Sequence, residues 1–245
     1  INKISSKSQK AEHEKIRAVY DALKVINLID DIEAKAHYLA GYEKNKGECK
    51  QILNKCRDEA LACNNPRKMV KLLVNYKKRI SNIEIDSRKN PIKIAIIGEI
   101  YTIIDPLSNL FIEDKLMDYG VSTKRILSPS WWIKNTLLMP GKLSSGNIKK
   151  AAKEYIPLSI GGFSRECIGE AVLAKKEGFH GAIQIFPVGC MPEIVSKSIL
   201  TTVSKDKNFP IMSLVVDEMT GEAGYITRIE AFVDLLERRQ EKCII

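Results

Sequence analysis

A chain of 245 residues with a mass of 27.6 kDa holds enough material for one large or two modest domains with a full core. Its 44% hydrophobic content is ordinary for a soluble protein, and no apolar run approaches the roughly 20 residues that span a bilayer. The N-terminus lacks the ordered charged, apolar and small-residue regions of a secretory leader, so a cytoplasmic protein is expected. It begins with Ile1 rather than Met, as a fragment of a longer protein would.

The net charge of +9 is uneven. Residues 1–90 carry 20 Lys and Arg against 12 Asp and Glu, whereas residues 91–245 carry 19 against 18. A basic arm of this kind attracts an acidic partner, or simply solvates its helices. Nucleic acid is not the expected partner, because the arm has few aromatics for stacking on bases and carries acids throughout.

The first 90 residues carry helical periodicity. From Lys10 to Leu28 the apolar residues Ile16, Val19, Tyr20, Leu23 and Ile26 fall on one stripe that continues to Ile29. Gly41 and Gly47 interrupt the pattern, and a helix from Glu48 to Cys63 follows. Asn65 is placed to cap the next helix with Pro66 at its first position; that helix runs to about Ile80, with Met69, Leu72, Leu73 and Tyr76 inward.

Cys49, Cys56 and Cys63 recur every seven residues. Positions seven apart on a helix are separated by roughly 10.5 Å, too far to share one small metal centre. They fit a packing seam in which cysteine behaves as a small hydrophobe.

From Pro91 the pattern becomes strand then helix, repeatedly. Ile92–Ile97 is a strand ending in Gly98-Glu99; Asp105-Pro106 opens a helix through Met117; Ser122–Leu127 is a shorter strand. Residues 128–160 fit an insertion packed on the sheet. Within it Trp131-Trp132 and Leu137-Leu138 flank a Pro140-Gly141 turn, and Ser144-Ser145-Gly146 precedes a Lys-rich helix. Gly161-Gly162 leads to a helix through Lys176. Strands at Gly181–Phe186 and Pro210–Val216 each run into a helix. The expected fold is α/β: residues 91–245 form a small doubly wound, flavodoxin-like parallel sheet preceded by the helical segment 1–90.

Ligands of open α/β sheets sit where strands end and helices begin. Two such corners stand out. Pro187-Val188-Gly189-Cys190-Met191-Pro192-Glu193 places a cysteine at a helix start, where backbone N–H groups favour the thiolate that attacks or binds metal. Cys190 as a small residue filling a tight corner fits equally well. Asp217-Glu218-Met219-Thr220-Gly221-Glu222-Ala223-Gly224 gathers acids and glycines, with Thr227 and Arg228 just inside a helix whose N-terminus suits an anion. Its bland counterpart is a tight turn with capping acids. Cys167 is expected to be buried on a helix, Cys243 lies in the tail, and His180 is expected at the surface. There is no phosphate-cradling Gly-x-x-x-x-Gly-Lys-Ser/Thr loop, no Gly-x-Gly-x-x-Gly after a strand, and no Cys-x-x-Cys.

Four segments carry a family resemblance: Gly98-Glu99-Ile100-Tyr101, Gly161-Gly162-Phe163-Ser164-Arg165-Glu166, Pro187 to Glu193, and Asp217 to Gly224 with Ile226 to Phe232. Through them Pro91–Arg239 resembles the C-terminal domain of 2-hydroxyacyl-CoA dehydratase subunits. It is more similar to their CoA-enzyme-activase-related relatives, kin of the double-cubane cluster proteins.

The resemblance implies two α/β domains enclosing an iron–sulfur cluster, [4Fe–4S] or double cubane, with cysteines from both. An ATP-dependent activase would donate electrons at low potential. The chemistry would be radical dehydration of a 2-hydroxyacyl-CoA thioester, as in a lyase of anaerobic metabolism, or reduction of a small substrate. Cys190 matches the cysteine that the C-terminal domain contributes to the metal. Glu193, Glu218, Glu222 and Arg165 would line the cavity beside it as proton donors or tuning groups, with Gly189, Gly221 and Glu99 bordering the cofactor. A homo- or heterodimer is implied. Residues 1–90 offer no counterpart to the upstream ligands. One thiolate cannot hold a cluster that takes four ligands, so the chain alone is expected to be without cluster and inactive. The alternative is a non-catalytic α/β scaffold or regulatory module that binds a partner protein through its basic helical arm.

Overall fold

The computed structural model describes residues 11–135 and 146–242. Leu137-Leu138, Pro140-Gly141, Ser144-Ser145 and Cys243 therefore lie outside the described residues. The first third is helical: α1 (Glu12–Leu39), α2 (Glu48–Leu61) and α3 (Pro66–Ser81). Asn65 caps α3 through its side-chain oxygen, which accepts the N–H groups of Arg67 and Lys68 at 3.0 and 3.2 Å. At the start of α2 the cap comes from a distance: the buried Glu43 carboxylate accepts the N–H of Cys49 at 2.7 Å and that of Gly47.

The three helices share a core of Leu28, Ile32, Ala36, Leu53, Leu73, Tyr76 and Ile80, into which Cys49 and Cys56 are also buried. Burial pushes the Cys56 thiol up to about 11 and raises that of Cys49 further, as a packing seam requires, whereas Cys63 lies beyond the end of α2 and is only half-buried. The single stripe expected along α1 is two stripes. Ile32 lies about 160° around the helix from Ile16 at 100° per residue. The face that packs on α3 therefore leaves Ile16 68% and Tyr20 65% exposed.

The remainder is a four-stranded parallel sheet: β1 (Lys93–Gly98), β2 (Ser122–Arg125), β3 (Gly181–Pro187) and β4 (Ile211–Val216), in the order β2-β1-β3-β4. Two short helices, α4 (Ile100–Ile104) and α5 (Ile112–Asp118), link β1 to β2. Between β2 and β3 come α6 (Pro129–Ile133), α7 (Gly146–Ala152) and α8 (Ser164–Lys176); α9 (Met191–Asp206) and α10 (Glu222–Lys242) follow β3 and β4.

Ile94, Ile96, Ile183, Ile185 and Leu214 point to one face, where α4, α5 and α10 supply Ile103, Leu116, Ile229 and Phe232. Ala95, Ile97 and Ala182 point to the other, under Ile168 and Ala171 of α8 and Leu200 and Val203 of α9. Helices cover both faces, as right-handed crossovers demand once the strand order reverses. The α/β, doubly wound expectation is met. Gly169 lets α8 approach α7 closely, since a Cβ there would lie 2.2 Å from the Ile148 carbonyl oxygen.

The helix expected from Asp105 to Met117 is broken. Glu99 starts α4 immediately after β1, and Asp105 turns its carboxylate onto the Ser108 N–H at 3.0 Å. The Asn109 amide then ties back to the carbonyls of Thr102 and Ile103, and α5 begins only after Leu110 and Phe111, both with positive φ. His180, expected at the surface, is half-buried; its Nδ1 accepts the Lys93 N–H at 2.9 Å at the amino end of the sheet.

The helical segment packs along β2, where the Ser122 hydroxyl donates to the Tyr38 carbonyl. Charged groups seal the junction. Arg57 on α2 reaches Asp114 at 2.6 Å and Glu33 at 3.2 Å, His37 lies 3.0 Å from Asp114, and Arg125 lies 3.2 Å from Glu113. At the opposite edge of the sheet, Arg228 on α10 donates to the outward carbonyl of Ser213 in β4 at 2.7 Å. A charge on an edge strand discourages pairing with foreign strands. No described helix is long and apolar enough to cross a membrane.

Candidate functional site

The strand order reverses between β1 and β3, so the crevice at their carboxyl ends is the place where this architecture accepts ligands. Gly98 sits there with φ +132°, so close to β3 that a Cβ would lie 2.0 Å from the Ile185 carbonyl oxygen. The backbones approach to this distance because position 98 has no side chain. The next residue, Glu99, accepts the N–H groups of Tyr101 and Thr102 at 3.0 and 2.8 Å and the Thr102 hydroxyl at 2.8 Å. Its carboxylate is engaged as the cap of α4.

On the β3 side, Gly189 turns the chain with φ +79° and Cys190 becomes the N-cap of α9. Cys190 is half-buried, whereas Cys167 on α8 is fully buried. Burial raises the Cys190 thiol; the Glu193 N–H favours its thiolate, and the charges of Glu193 and Glu99 oppose it. The dipole of α9 therefore does not leave a free thiolate here, contrary to the simplest expectation for a cysteine at a helix start. The Gly161-Gly162 turn leans on the same corner: a Cβ on Gly162 would lie 2.9 Å from the Pro192 ring.

Glu193 is 1% exposed. One carboxyl oxygen accepts from Gln184 at 2.9 Å, and the other has no hydrogen-bond partner. Burial raises this carboxyl above the ordinary range, aided by the charges of Glu99 and Glu166 and opposed by the Gln184 amide and the Cys167 thiol. Glu170 on α8 is also buried, with neither oxygen paired, and burial together with Glu166 and Glu193 holds it well above the ordinary range. Glu166 faces Lys149 at 3.6 Å, and Arg165 is half-buried with its Nε unpaired.

Glu99, Cys190 and Glu193 are thus brought together, each carboxylate acting on the thiol. The β4 corner differs in character. Asp217 accepts the Met219 N–H at 3.0 Å and the Thr220 hydroxyl at 2.9 Å, forming a self-contained turn. Glu218 is exposed, and Glu222 at the start of α10 pairs with Lys115 at 2.9 Å. Gly221 and Gly224 have no left-handed backbone, and no protein atom would meet an added Cβ at either. Arg228 is engaged at the sheet edge.

Sequence reasoning passed over Gln184, Ser213 and Glu170. The signal for the first was available: an amide interrupting the apolar run Gly181-Ala182-Ile183-Gln184-Ile185-Phe186. Large apolar side chains are also exposed just after strand ends. Met219 is 83% exposed and Met191 67%, and Tyr101 and Val188 are also exposed. Single exposed apolar residues are ordinary on a protein surface.

The donor set tests the fit to iron. Among the described residues no group of three or more His, Cys, Asp or Glu could hold a metal ion. Cys190 is a single half-buried thiol, and Cys167 is fully buried. The described residues do not form a complete cradle for a cluster. They suit, at most, one ligand presented from the rim. Compared with protein-family models and with curated proteins, the chain matches none.

Proposed function

We propose that this chain is the C-terminal α/β part of a cytoplasmic, 2-hydroxyacyl-CoA dehydratase-like protein in which Cys190 offers one thiolate to an iron–sulfur cluster. The other ligands would come from polypeptide that covers the rim. Such a cluster would supply single electrons at low potential, delivered by an ATP-dependent activase. The substrate would be an acyl-CoA or another small molecule. The carrying observation is the position of Cys190: half-buried, at the start of α9, beside the reversal point of the sheet. In this reading Glu193, buried and with its carboxyl raised above the ordinary range by burial, tunes the thiol, and Gly189 leaves room at the corner. Arg165, Glu218, Glu222 and Gly221 border the space above.

The scaffold alternative draws less support. Lys50, Arg57 and Lys77 of the basic arm are already engaged with Asp118, Asp114 and Asp31. The deciding measurement is anaerobic iron and acid-labile sulfide in the full-length native protein beside Cys190→Ser. Iron in the former and its loss in the latter is expected. Equal iron in both would remove Cys190 from the ligand set, and no iron in either would return the chain to the scaffold class.

A further inference from the structure

Beneath the Cys190 corner runs a buried polar strut. Gln184 stands in the middle of β3, fully buried, between Ile183 and Ile185. All three of its polar positions are used. Nε2 donates to Glu193 Oε2 at 2.9 Å and to the Glu193 carbonyl at 3.1 Å, while Oε1 accepts from the Ser213 hydroxyl at 2.8 Å. Ser213 is the direct neighbour of Gln184 in the β3–β4 register. A buried amide left unpaired costs about 1–3 kcal/mol, and an aliphatic residue would fill this strand without that risk. The amide is therefore tied to what it holds.

It holds the first turn of α9. A Glu at the third position of a helix commonly reaches back to the N–H of the N-cap residue. Here the Cys190 N–H donates instead to the Pro187 carbonyl at 3.2 Å, and Glu193 turns inward to Gln184. The same turn is tied by the Ser196 hydroxyl, which donates to the Pro192 carbonyl at 2.9 Å, and is flanked by Gly162. Ser213 carries the strut into β4, whose far end bears the Asp217 corner.

We propose that Gln184 and Ser213 are positioning residues that set where Cys190 stands in the crevice, locking the first turn of α9 to both β3 and β4. The proposal rests on Cys190 being the working residue of the site, as an iron ligand, and concerns how it is held rather than what it binds. Removing the amide leaves the turn attached to the chain but free to open, so the Cys190 thiol becomes more available and less able to meet a fixed ligand geometry.

The test is alkylation of Cys190 by iodoacetamide in this chain, followed by peptide mass spectrometry. Half-buried Cys63, on the distant helical segment, serves as internal reference, and a urea midpoint is measured alongside. Gln184→Met is expected to raise the Cys190-to-Cys63 rate ratio about tenfold, the factor that one lost buried hydrogen bond makes in a local opening. Ser213→Ala should move it the same way by less. The double variant Gln184→Met with Glu193→Met removes the polar side-chain pair under α9 and should recover part of the stability while Cys190 stays fast. That combination separates positioning from folding. A ratio within about twofold of native in folded Gln184→Met, or in the double variant should the single one not fold, overturns the proposal. The readout needs no cluster. A native protein without iron would end the iron reading and leave the strut standing on its own result.

Discussion

Replacing Asp114 by Asn tests whether the charged junction fastens the helical segment to the sheet. Burial alone would raise the Asp114 carboxyl, but hydrogen bonds and charge from His37 and Arg57 outweigh it and hold the group at about 2 rather than the ordinary 3.8. A difference of that size corresponds to about 2.5 kcal/mol of preferential stabilisation of the charged form in the folded state. Asp114 is almost fully buried, so little is lost to solvent screening. The folded value is depressed, so the contribution is complete above the unfolded value and disappears as pH falls through 3.8 towards 2. Asp114→Asn should therefore lower the unfolding free energy by about 2 kcal/mol at pH 7, read from urea denaturation with an unchanged slope. The difference from the native chain should shrink steadily below about pH 4. A loss equal at pH 7 and pH 3, or no loss at pH 7, would show that Asp114 acts through packing or not at all.

Three further perturbations address the fold and the crevice. Gly98→Ala sets a Cβ 2.0 Å from the Ile185 carbonyl oxygen at a φ that L-residues avoid; a loss above about 3 kcal/mol is expected in thermal unfolding, and a melt like the native one would mean that β1 and β3 can part there. Asn65→Ala removes the side-chain cap of α3 and should cost about 1 kcal/mol in urea, with Asn65→Asp retaining most of it. Glu170→Gln swaps a buried, unpaired carboxyl for a neutral amide of the same shape. The Glu170 value is raised, so the native chain loses stability as pH climbs above the unfolded glutamate value, and the variant should gain on it from pH 5 to pH 8. A pH-independent gap in urea midpoints would show that Glu170 does not titrate in this range.

Much of the architecture was legible because the physics is local. Alternation of strand and helix after Pro91, the cap at Asn65 and the corner glycines each announce themselves within a few residues. Where the reading failed, a distant partner decided. Ile16, Val19 and Tyr20 are as apolar as Leu28 and Ile32, and only the position of α3 settles which face is buried. The break before α5 depends on Glu99 starting a helix earlier and on Asn109 folding back onto its carbonyls. His180 is drawn in by Lys93, 87 residues away. The Cys190 and Asp217 corners could be located from sequence, because strand ends are where such residues gather. Their inner support could not. Gln184, Ser213 and Glu193 meet through strand register and helix docking, and no spacing in the chain encodes that meeting.

The protection of the two sheet margins has a consequence for assembly. With β2 flanked by the helical segment and β4 guarded by Arg228, lateral growth of the sheet is opposed at both sides. Exposed apolar side chains that follow the strand ends, Tyr101, Val188, Met191 and Met219, stand clear of both margins. A contact with another protein that leaves both margins undisturbed would have to be made by side chains rather than by strand pairing.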